Sequence, residues 1–145
     1  MSYQILPMTA APGTELRRIA ICIFDDVIEH ASETNATGKY FDAFLPALLA
    51  GIGSPDPDLR QSSAYGAGVC AQHCRDRFRS RAPELLGALA AAARVPGART
   101  EDMESATDNV VSALGKAVEF HRDLPGAAQA SPASGGSCTL LWVCD

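Results

Sequence analysis

The sequence predicts an all-α protein, an α-solenoid built of helical hairpins, and three observations carry that reading. Apolar residues recur at spacings of three and four along its long apolar stretches, the signature of amphipathic helices. The composition is alanine-rich with only 6% aromatic residues, which suits helices that approach closely through small side chains. A segment similarity returns at offsets of about 43 and about 47 residues, within the range of paired-helix repeats. The 145 residues are enough for one domain or a few stacked repeats.

Each element follows from its own residues. Residues 1–13 hold Pro7, Pro12 and Gly13 and read as an irregular segment. Thr14 followed by Glu15 can then cap a helix over 14–31, whose apolar face is Leu16, Ile19, Ala20, Ile23, Val27 and Ile28. The polar run 32–38 ends it. A second helix over 39–52 directs Tyr40, Phe41, Phe44, Leu45, Leu48 and Leu49 inward, with a kink expected at Pro46, which lacks an amide donor. Gly53, Ser54, Pro55, Asp56 and Pro57 form a strong stop and turn. The third helix begins near Asp56–Asp58, whose carboxylates suit the positive end of the macrodipole, and runs to about residue 72–74. Leu59, Ser63, Tyr65, Ala67, Val69 and Cys70 compete for its buried stripe, and Gly66 and Gly68 permit close approach of a neighbour. A fourth, alanine-rich helix is expected over 83–94 with Pro83 in its first turn, and a fifth over 100–121. Residues 124–145 are small, polar and Pro/Gly-rich at first and read as a disordered or irregular tail.

Leu59-Arg60 through Ala67-Gly68 resembles Leu16-Arg17 through Phe24-Asp25, and Leu114-Gly115 takes the place of Ala67-Gly68. The helix order is thus B, A, B, A, B, about two and a half HEAT- or armadillo-like repeats over 14–123.

Charge and composition narrow the function. Twelve Lys and Arg against 17 Asp and Glu give a formal charge of −5, which argues against a surface that neutralises nucleic-acid phosphates. The apolar stretches 19–24 and 83–93 are far shorter than the ~20 residues of a membrane span. Five cysteines at irregular spacing, without a signal-peptide pattern, fit reduced thiols in the cytosol or nucleus. The sequence shows no glycine-rich phosphate loop, HExxH or GxSxG motif, so a non-enzyme without cofactors is expected.

Three clusters could carry chemistry. Asp25, Asp26 and Glu29 lie within one turn, so at least two carboxylates can share an exposed stripe that receives a Lys or Arg of a partner. The alternatives are a solvated helix face or an Asp25 side chain that caps a neighbouring repeat. Asp108, Asn109 and Ser112 occupy a similar position on the last helix. Arg75, Arg77, Arg79 and Arg81 surround Phe78 in what reads as a solvated basic loop without a role. Cys70, His73 and Cys74 share a helix face, but a fourth zinc ligand is not evident and no metal is expected. His30 and His121 complement the dipoles at helix C-termini.

Residues 21–30, ICIFDDVIEH, resemble a helix of importin-beta-type nuclear transport receptors, nearest to the importin-five (karyopherin beta-three) branch. Residues 59–72, LRQSSAYGAGVCAQ, and 106–116, ATDNVVSALGK, resemble further helices of that branch in the same order. The resemblance covers about residues 15–125 and corresponds to a small part of the C-terminal half of such a receptor. It implies protein recognition in nuclear import, with basic cargo held on an acidic wall of B helices, and residence in cytoplasm and nucleus. Ran-GTP is a partner by resemblance only, because the family holds it mainly through N-terminal repeats. The different-class alternative is a HEAT-repeat scaffold with no transport role. The family pattern would place an A helix before residue 14, so an exposed apolar face is expected on the first helix.

Overall fold

The computed structural model describes residues 2–30 and 36–123, with side chains described for 4–30 and 40–123. The expected tail 124–145 and the loop 32–35 lie outside the described residues. Five long helices account for most of the described residues: α2 (Thr14–His30), α3 (Ala36–Ile52), α4 (Pro57–His73), α5 (Arg75–Ala93) and α6 (Glu101–Phe120). A short α1 (Ser2–Ile5) and a 3-10 helix (Leu6–Ala10) precede them.

Helices α2, α4 and α6 form one layer, with α4 packed on α6 and on α2. Helices α3 and α5 form the other, α3 lying against α2 and α4 and α5 against α4 and α6. The architecture is the predicted α-solenoid, and its interior is a single apolar layer. Ile21, Phe24 and Ile28 of α2 meet Phe41, Phe44, Leu45, Leu48 and Ile52 of α3, and the layer continues through Leu59, Val69, Phe78, Leu85, Leu89 and Val110. Phe24 and Phe44 stack with ring centroids 4.3 Å apart.

Local chemistry sets the boundaries. Asp56 caps α4 by accepting the Leu59 amide hydrogen bond at 2.9 Å, and the buried Arg60 donates through Nε to the Ser54 carbonyl at 2.9 Å. These bonds fix the sharp turn between α3 and α4. Pro46 sits inside α3 without ending it.

Four expectations are corrected. Helix α5 begins at Arg75, well before Pro83, which lies within it. The buried Phe78 and Ala82 anchor the added turns, so packing outweighs the hydrogen bond that an internal proline removes. The expected basic loop is therefore the start of α5, and its arginines are engaged: Arg77 with Asp42 at 2.6 Å, Arg79 with Asp123, and Arg81 with Glu84 at 2.8 Å. The chain passes from α4 to α5 through Arg75, whose φ of 38° lies in the left-handed region. Residues 2–10 are helical rather than irregular; the 3-10 helix packs on α2 and α3, while Ile5 and Leu6 lie against the core. Leu16 is exposed on α2, but Ile19, Ile23 and Val27 are half-buried, so the first helix is less bare than its sequence implies.

The last correction is a rotation of α2. Its buried stripe is Ala20, Ile21, Phe24, Asp25 and Ile28. Asp25 is one turn from both Ile21 and Ile28, so the helical period places it on the core side, away from Asp26.

Candidate functional site

The α2–α4–α6 layer carries an open groove of about 500 Å³. Arg18, Cys22, Asp25 and Asp26 line it from α2, Asp58, Gln61, Ser62 and Tyr65 from α4, and Asn109 from α6. Carboxylates outnumber cations there, and Arg18 is already committed to Glu15 at 2.7 Å. The groove thus presents hydrogen-bonding groups and a negative lining to whatever enters it.

Above it a polar ladder joins the three helices. The Tyr65 hydroxyl donates to Glu29 Oε2 at 2.9 Å, and the Lys116 ammonium lies 5.5 Å from the centre of the Tyr65 ring. Glu29, with burial, holds the Tyr65 phenol above its ordinary value, since losing its proton would set a phenolate beside a carboxylate.

Asp25 forms the inner wall. It is only 3% exposed, and its Oδ1 has no hydrogen-bond partner. Space for it exists because Gly66 has no side chain: a Cβ there would stand 2.2 Å from Oδ1. Burial above all, with help from Asp26 and Glu29, pushes the Asp25 carboxyl up to about 9. At neutral pH it is a carboxylic acid, not a carboxylate.

The expected site residues therefore separate. Asp25, Asp26 and Asn109 come together in the groove, and Glu29 borders it through Tyr65. Asp108 and Ser112 are exposed on α6 outside the groove lining. Asp25 is buried, so of the three acidic residues only the exposed Asp26 and the half-buried Glu29 are left to share a stripe. Sequence reasoning missed Arg18, Cys22, Asp58, Gln61, Ser62 and Tyr65. A signal for three of them was present: carrying Asp108, Asn109 and Ser112 back by the repeat offset of about 47 residues lands on Gln61, Ser62 and Tyr65.

His121 also has a larger part than its own helix dipole suggests. It is buried, stacked on Phe78 with centroids 4.8 Å apart, and its Nε2 donates to the Ala71 carbonyl at 2.7 Å. Ala71 belongs to the last turn of α4, where carbonyls lack intrahelical partners, so His121 caps a neighbouring helix. Cys70 and Cys74 are buried in the core and His73 is half-buried; burial and the adjacent Cys74 raise the Cys70 thiol. Among the described residues no group of three or more His, Cys, Asp or Glu is placed to hold a metal ion, and no helix is long and apolar enough to cross a membrane.

No family model matches the chain. Curated relatives do. The chain is 31% identical over 97 residues to importin subunit beta-3 of Saccharomyces cerevisiae, an alignment covering 67% of this chain and 9% of that protein. It is 28% identical over 111 residues to a probable importin-5 homolog of Dictyostelium discoideum, covering 74% and 10%. It is 30% identical over 81 residues to importin-4 of Homo sapiens, covering 56% and 7%. The chain spans about a tenth or less of the length of these relatives. Similarity to three importins, in a chain that folds as the solenoid its repeats predicted, identifies it as a member of the importin-beta family that carries a short run of helical repeats.

Proposed function

We propose that this chain binds protein, and that the groove of the α2–α4–α6 layer receives a basic, extended segment of cargo in nuclear import. The observation that supports this reading is the groove lining, where Asp25, Asp26 and Asp58 face one cation, Arg18, that Glu15 already engages. A Lys or Arg side chain entering there meets acceptors without displacing a built-in partner. Asp26 and Asp58 are the ionic contacts, both exposed at the groove; Glu29, Asp108, Asn109 and Ser112 extend the polar wall along the same layer. The importin relatives support cytoplasm and nucleus as the compartments, with Ran-GTP a partner at the level of the family.

The test is a titration of the chain with a fluorescent basic import-signal peptide at low and near-physiological salt, beside an Asp26→Ser, Asp58→Ser double variant. Affinity that falls with salt, and falls again on substitution, is the expected result. The scaffold alternative rests on the exposed Leu16, Val111 and Phe120, which offer apolar contacts at the ends of the layer. Its signature is binding to protein that ignores both salt and basic signals.

A further inference from the structure

An acid enclosed between helices ordinarily has a donor or a cation beside it. Asp25 has neither. On its own helix it faces Asp26 and Glu29, both acidic, with Cys22 nearby along the groove and Arg18 turned to Glu15. On α4 it meets Gly66, and the ionisable groups near it are Tyr65, whose hydroxyl is given to Glu29, the buried Cys70, and Asp58 farther along the groove. On α3 the neighbouring side chains are apolar, Phe44 and Leu48 among them. On α6 one N–H of the Asn109 amide donates to the Ser105 carbonyl, and the Lys116 ammonium lies over the Tyr65 ring. Among the described residues the two cations beside the groove are thus engaged elsewhere, Arg18 with Glu15 and Lys116 over the Tyr65 ring, while the groove that Asp25 lines is open to an incoming one.

We propose that Asp25 is a proton-exchanging acceptor: uncharged in the free chain, it releases its proton to solvent when a guanidinium of a bound basic segment occupies the groove. The balance is simple. The O–H bond of the carboxylic acid breaks, the proton goes to buffer, and the resulting carboxylate pairs with the incoming guanidinium, which keeps its own charge throughout. This deepens the function proposed above and rests on it. Because burial pushes the carboxyl up to about 9, the proton is still held at neutral pH and must leave for the ion pair to form. Affinity for a basic segment should therefore climb with pH over a range where arginine itself does not titrate.

Calorimetry on the full chain with a capped oligo-arginine peptide tests this. At about pH 7.5, titrations in phosphate and in Tris, which differ in ionisation enthalpy, report the protons released, expected to approach one per peptide. Between about pH 7 and pH 8.5 the affinity should rise by up to about tenfold per pH unit. Asp25→Asn, checked for fold by circular dichroism, should bind with heats independent of buffer and an affinity flat in pH. Cys22→Ser should keep the proton release, which separates Asp25 from the groove thiol. Wild-type binding without proton release overturns this inference and leaves the peptide-binding function standing. Absence of any salt-sensitive binding overturns both, and the two failures are told apart by the wild-type titrations alone. Release that survives in Asp25→Asn assigns the proton to another group and likewise overturns the inference.

Discussion

The two seams of the α2–α4–α6 layer are built alike and filled differently. Both depend on a glycine of α4: Gly66 lets α2 approach, and Gly68 lets α6 approach, a Cβ there standing 3.3 Å from the Ala113 Cα. At the α4–α6 seam one buried polar group is His121, stacked on Phe78 and hydrogen-bonded to the Ala71 carbonyl. At the α2–α4 seam it is Asp25, whose Oδ1 is bonded to nothing. One seam spends its buried polar residue on cohesion. The other carries a polar residue that weakens the fold, which is what a group kept for binding would do.

That contrast can be broken first at the cohesive seam. His121→Ala removes a buried hydrogen bond, leaves the Ala71 carbonyl unpaired and opens a cavity beside Phe78, for an expected loss of about 3 kcal/mol in denaturant unfolding. Gly66→Ala comes next, at about 2 kcal/mol, because the new methyl collides with Asp25 Oδ1 and crowds Leu48. Combining it with Asp25→Ser should recover much of that loss, a coupling that a double-mutant cycle reads directly. Gly68→Ala sharpens the comparison. Its contacts with Lys116 and Ala113 are tight but not overlapping, and the roughly 1 kcal/mol gained in helix propensity should leave stability nearly unchanged.

Asp25→Asn should act with the opposite sign, and its size should depend on pH. Below the ordinary carboxyl value of 3.8 the residue is protonated in both folded and unfolded chains and costs nothing by this route. As pH rises from there towards about 9, the unfolded chain gives up the proton and the folded chain keeps it, so wild-type stability falls across that window. The Asn variant escapes that loss. We expect it to be more stable than wild type by up to a few kcal/mol at pH 7, with the gain fading towards pH 4. Stability curves of both proteins over that range check it. Arg79→Ala, which removes an exposed pair with Asp123, should likewise have a small effect, changing stability by less than about 1 kcal/mol.

Much of this was legible in the sequence because it rests on short-range periodicity. The α2, α4 and α6 helices and the small-residue approach at Gly66 and Gly68 all follow from spacing and side-chain size. The start of α5 was not legible, because Pro83 reads as a first-turn residue until the buried Phe78 and Ala82 are seen to hold the preceding turns. The rotation of α2 was harder still. Both Ile21–Phe24–Ile28 and Ile19–Ile23–Val27 make acceptable apolar stripes, and only the packing of α4 chooses between them. That choice decides whether Asp25 faces water or the core, so the uncertain step in the fold was also the decisive step in the site. His121 was missed for a related reason: its partner, Ala71, is fifty positions away.

The same bond has a consequence for how the array loosens. A helix usually frays from its last turn independently of its neighbours, yet the last turn of α4 is closed by a residue that follows α6. The two helices therefore share one opening event at that corner. In an array whose units touch only their neighbours, such a shared event ties adjacent units into a single cooperative step and lets protection from exchange in α4 report on whether α6 is in place.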